Sequence, residues 1–138
     1  MNEEGSLKDW VRREMTMQGI GVLDQAKERA ARLFGISQDG SVGFRLSGSQ
    51  LNRLNSRDKV LLYTIGKVYA HAAEYAVDAT VANAELVRNL GMPEGTVRGK
   101  LKELRDAHYL NSVQDGIHSI AMNRILEALS EIEKKIGA

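Results

Sequence analysis

The sequence predicts an α+β fold, mainly helical with a small β-hairpin. Apolar residues recur at helical spacing over most of the chain, as in Val97, Leu101 and Leu104 at i, i+4 and i+7. Strand-like alternation is confined to short runs beside Asp-Gly pairs, a strong local hairpin signal. With 138 residues, 43% of them hydrophobic, the chain has the size of one compact domain or of a small domain with an appended arm.

In chain order, Ser6 is placed to cap a first helix that runs to about Gln18, with Leu7, Trp10, Val11 and Met15 on its apolar face. Gly19-Ile20-Gly21 breaks it. A second helix is expected from Val22 to Phe34, with Leu23, Ala26, Ala30, Leu33 and Phe34 on one side and Gly35 as its stop. Asp39-Gly40, followed by alternating Val42, Phe44 and Leu46, predicts a hairpin or short strand. The polar run Ser47 to Asn55 is expected to be a linker or a short helical turn, and divides the chain into a 1–55 extension and a 56–138 domain.

Beyond that boundary Ser56 is expected to open a helix continuing to about Tyr75, apolar enough to be buried. Asp78 to Ala82 is β-prone, and Asn83 is expected to cap a brief helix closed by Gly91. Pro93 fits the start of the next helix, where no amide donor is needed. Two short strands then flank Asp115-Gly116. Finally Asn123 is expected to cap a helix whose Ile125, Leu129, Ile132 and Ile136 form a coiled-coil-like seam.

Several classes of function recede on composition. No cysteine is available for disulfides or thiolate metal sites, and three histidines are scattered at His71, His108 and His118, so neither metal nor cofactor is expected. No apolar run is long enough to span a membrane, and MNEEGSLKDW lacks the basic and apolar parts of a signal peptide, so a cytoplasmic location is expected. Nucleophile elbows, phosphate loops and zinc-protease motifs are missing and the carboxylates are dispersed, so no catalytic activity is expected. Charge is nearly balanced, 19 basic against 18 acidic residues, so contact with nucleic acid must come from local placement.

Two helices joined by a short glycine-containing turn and followed by a hairpin make a helix-turn-helix with a wing. In this order, residues 56–138 resemble the winged-helix DNA-binding domain of small prokaryotic transcription regulators of the MarR/ArsR-like kind. Asn83 to Gly91 would be the supporting helix and turn, Pro93 to His108 the recognition helix, and Tyr109 to Met122 the wing. Pro93 to Arg98 followed by Leu101 also resembles the promoter-reading helix of bacterial sigma factors, but the hairpin after it departs from that family. The winged-helix resemblance implies a recognition helix in the major groove of double-stranded DNA, with Thr96, Arg98, Gly99, Lys100, Lys102 and Arg105 at the contact.

Other features bear on that expectation from both sides. Glu94, Glu103 and Asp106 nearly cancel the bases of this helix, and the hairpin tip Gln114-Asp115-Gly116 has no base for a phosphate. Gly95 and Gly99 each cost a helix about 1 kcal/mol, so they suggest close approach by DNA or by a neighbouring protein helix. The C-terminal seam would serve a homodimer on paired half-sites, or else pack on the chain's own N-terminal helices. A winged helix used as a protein-interaction module is the alternative to a DNA-binding transcriptional regulator.

Overall fold

The computed structural model describes residues 6–14 and 19–137. Among them the order is α1 (Leu7–Glu14), α2 (Gly19–Leu33), β1 (Phe34–Ile36), β2 (Val42–Phe44), α3 (Gly48–Asn52), α4 (Ser56–Ala72), β3 (Val81–Ala82), α5 (Asn83–Leu90), α6 (Glu94–Asp106), β4 (Leu110–Gln114) and β5 (Ile117–Ile120). A 3-10 turn at Met122–Arg124 then leads into α7 (Ile125–Ile136). The chain is thus mostly helical with small antiparallel sheets. No helix among the described residues is long and apolar enough to cross a membrane.

Helix α4 is the centre of the molecule. Val60 to Gly66, Val68 and Ala70 are all buried, because a helix apolar on every side must be surrounded. It meets α2, α5, α6, α7 and strands of both sheets. It opens at Ser56 as expected, with Asn55 as the cap, whose Oδ1 accepts from the Asp58 amide at 2.9 Å. Asp58 accepts in turn from the Asn55 amide at 3.0 Å, closing a capping box. The buried Asp58 carboxylate also receives Lys135 Nζ at 2.8 Å, which ties the start of α4 to the last turn of α7.

In the N-terminal part, Ser6 accepts from the Asp9 amide at 3.2 Å, so the expected cap is present. The rest of that expected helix, residues 15–18, lies outside the described residues. Helix α2 buries Leu23, Ala26, Ala30 and Leu33 as the pattern requires. Two boundaries are corrected: it begins at Gly19, and Gly35 does not stop it. Phe34 and Gly35 instead belong to β1, where Phe34 is buried with its ring 5.7 Å from that of Tyr69. Gly35 pairs with Gly43 of β2, and the missing side chain leaves room for the Arg45 guanidinium, whose Nη1 donates to the Ala31 carbonyl at 2.9 Å. The expected turn is made at Gly40 (φ +89°), whose amide donates to Ser37 O at 2.9 Å. The polar run contains the short helix α3, capped by Ser47.

In the C-terminal part, β3 pairs with β5 and β5 with β4, all antiparallel, giving the order β3-β5-β4. The β4–β5 hairpin turns at Asp115-Gly116, with φ +75° at the glycine. The register slips between Ser112 and Gln114, so Val113 bulges outward and is 55% exposed.

The last helix brings a correction with functional weight. Ile125, Leu129, Ile132 and Ile136 are all buried within the chain, against α2 and α4. Arg29 of α2 reinforces this packing through an ion pair to Glu133 at 2.7 Å. The seam expected to join two copies through the C-terminal helix is consumed internally, because the apolar stripe of α2 needs a partner too. Asn123 does not cap α7 either; it lies in the 3-10 turn, and Arg124 at the cap position makes no side-chain cap bond. One apolar cluster thus runs from Leu23 to Ile136, continuous across the linker around residue 55.

Candidate nucleic-acid interface

The pair α5 and α6 is set by local chemistry at its joint. Gly91 takes the left-handed conformation (φ 66°), and its amide donates to Val87 O at 3.1 Å, ending α5. Pro93 then caps α6 in extended backbone, its carbonyl accepting from the Val97 amide at 3.1 Å. Val97, Leu101 and Leu104 are fully buried, as predicted, and they seat α6 on α4. Helix α5 is braced to α4 by polar groups. Glu85 accepts from the Tyr63 hydroxyl and from Lys67 Nζ, both at 2.7 Å, while Asn89 Nδ2 donates to the Tyr63 oxygen at 3.0 Å. Burial, with the Glu85 carboxylate adding to it, pushes the Tyr63 hydroxyl well above the ordinary tyrosine range.

The six residues expected at a DNA contact do not share one face. Seven residues, about two turns, separate Arg98 from Arg105, so both lie on the side of α6 that looks toward the β4–β5 hairpin. There they line a cleft of about 240 Å³ with Ser112, Asp115 and His118. Among the described residues no acid pairs with Arg98, which is exposed. Thr96 and Lys100 are half-buried on the other flank, and Lys100 is held by Glu103 at 3.0 Å. Lys102 projects outermost but pairs with Asp106 at 2.9 Å. The near-cancellation of charge on α6 is therefore realised as ion pairs within the helix, which leave the two arginines as its available cations.

Gly99 and Gly95 share the outermost ridge with Lys102. A Cβ added at either would meet nothing within 4 Å. No part of the chain's own described structure approaches them, so internal packing is not the reason for glycine there.

Asn83 departs most from expectation. Asn83 is the first residue of α5 rather than its cap; Ala82 holds the cap position and makes no side-chain bond. The Asn83 Oδ1 lies instead 2.8 Å from His118 Nε2. His118, on β5, is only 3% exposed, and its Nδ1 is 3.5 Å from Arg105 Nη1. Burial, and secondarily the charge of Arg105, hold the imidazole pKa below its usual value. A neutral ring protonated at Nε2 satisfies both neighbours, donating to Asn83 and presenting a lone pair to the guanidinium. The signal for burial was present in the sequence: His118 has the same strand parity as the buried Ile120. Its partners, from elsewhere in the chain, had no such signal.

Comparison with protein-family models, curated proteins and solved structures finds no match for this chain.

Proposed function

We propose that the chain is a winged helix-turn-helix protein that binds double-stranded DNA and acts as a transcriptional regulator, with α6 entering the major groove and the β4–β5 hairpin beside it. The observation that carries this reading is the ordered set α4, β3, α5, α6, β4, β5 closed by the β3-β5-β4 sheet, with an outer face of α6 left uncovered. In this reading Arg98 takes a base edge or phosphate, Arg105 contacts the backbone from the cleft, and Gly99 permits close approach. Lys100 and Lys102 contribute less, because each must first give up an acid on its own helix. A homodimer through the α7 seam is not part of the proposal.

A second reading has its own support. The paired charges and bare glycines of α6 also suit a protein partner, as in an adaptor or assembly subunit. Fluorescence anisotropy with random-sequence duplex, followed over a salt series, separates the two. Affinity that falls steeply with salt marks phosphate contacts, and absence of binding at low salt overturns the DNA reading. Selection from a random duplex pool then identifies the target.

A further inference from the structure

We infer that His118 is a positioning residue for Arg105: the neutral imidazole holds the guanidinium at the cleft between α6 and the hairpin, and a protonated imidazole releases it. Its consequence for DNA affinity rests on the reading above, but the relation between the two side chains does not.

The geometry allows one arrangement of protons that satisfies all three groups. Asn83 Oδ1, 2.8 Å from Nε2, requires the ring hydrogen there, which leaves Nδ1 as the acceptor facing Arg105 Nη1 at 3.5 Å. A second proton on the ring would set an N–H donor against another donor and a cation against a cation. The ring is buried, so water screens that repulsion poorly. Each element around His118 contributes to this balance. Helix α6 brings Arg98 and Arg105, α5 brings Asn83, β4 and β3 bring Ser112 and Val81 in register, and the turn brings Asp115, the one acid lining the cleft. Asp115 is exposed, and two arginines oppose it. Protonation therefore turns Arg105 out of the cleft while the β3–β5 pairing keeps the hairpin in place.

The predicted pH response has an unusual sign. Histidines that gain charge on acidification ordinarily strengthen attraction to DNA. Here acidification weakens binding, because the cation that matters is displaced.

The test uses the full chain in two arms. In the first, without DNA, the ring nitrogens are followed by NMR over roughly pH 5 to 8, the His118 signals being assigned by their loss in His118→Gln. The expected result is an Nε2–H tautomer that titrates below free histidine and moves upward in Arg105→Gln. An Nδ1–H tautomer, or a midpoint that Arg105→Gln leaves in place, overturns the inference.

In the second arm, anisotropy with a random-sequence duplex is measured at constant ionic strength over the same range. Wild type is expected to lose about three- to tenfold in affinity as His118 protonates, the worth of one hydrogen bond. Arg105→Gln should start weaker by that factor and lose no more. His118→Leu offers Arg105 no acceptor and has nothing to titrate, so it should match Arg105→Gln at every pH while circular dichroism stays native. A wild-type profile parallel to that of Arg105→Gln overturns the inference. If no protein binds duplex at any pH, the DNA reading fails, and the first arm still decides the pairing.

Discussion

The side chain of Val42 rests on the backbone of Gly66: a Cβ built at that glycine would lie 2.5 Å from Val42 Cγ1. The N-terminal hairpin is thereby keyed into the central helix. Gly66→Ala gains up to about 1 kcal/mol of helix propensity and loses more to overpacking. The expected net effect is a loss of about 1 to 3 kcal/mol in urea unfolding, partly recovered when Val42→Ala is added.

The glycine on the outer ridge of α6 behaves in the opposite way. Gly99→Ala adds a methyl group where nothing lies within 4 Å, so it should stabilise the fold by about 0.5 to 1 kcal/mol. If α6 enters a groove, the same variant weakens duplex binding. Stabilisation with unchanged affinity would count against close approach at this residue.

Arg98 and Lys102 should separate cleanly. Arg98→Ala is expected to cost about 1 to 3 kcal/mol of DNA affinity with stability unchanged. For Lys102, whose exposed pair with Asp106 contributes less than about 1 kcal/mol to stability, substitution should be nearly silent in both. Equal losses of affinity at the two positions would point to a general electrostatic contact.

Stability should depend on pH through His118. Its folded-state pKa is held below the free-imidazole value of 6.5 by burial and then by Arg105. Over that window the unfolded chain binds more protons than the folded one, so stability rises with pH. The contribution is complete above about 6.5 and is lost as pH falls from there through the folded value. Thermal melts of wild type and His118→Gln should converge in acid and diverge at neutral pH.

The α7 seam offers the clearest test of where the C-terminal helix belongs. Leu129 is fully buried inside the chain, so Leu129→Ala should cost about 2 to 5 kcal/mol by cavity formation. Light scattering should give the same mass for wild type and variant. A dimer that Leu129→Ala dissociates without loss of stability would contradict the packing.

What the sequence made readable was local. The stripe Val97, Leu101, Leu104, the left-handed Gly91, the Ser6 cap and the Asp115-Gly116 turn each depend on neighbours a few residues away, and each was found where expected. Caps were less secure: the box that Asn55 closes on α4 was not foreseen, and Asn83, the expected cap of α5, is engaged by a histidine 35 positions along the chain. A long-range partner outcompetes a local one when it satisfies a buried group, and sequence spacing carries no record of that. The same holds for Ile125 to Ile136, whose periodicity announces burial but not against what. On α6 the residue types were legible, but which of them are tied up in ion pairs and which line the cleft beside the hairpin was not.

The ion pairs along α6 have a kinetic consequence. A DNA reader with one arginine free of acids, a second held by an imidazole, and a neutralised outer helix face would project little field beyond a Debye length. Its encounters with duplex would be slow and weakly steered, and it would hold non-specific sites too briefly to slide far. Such a protein would find its target by repeated three-dimensional collision, with discrimination residing in residence time rather than in capture.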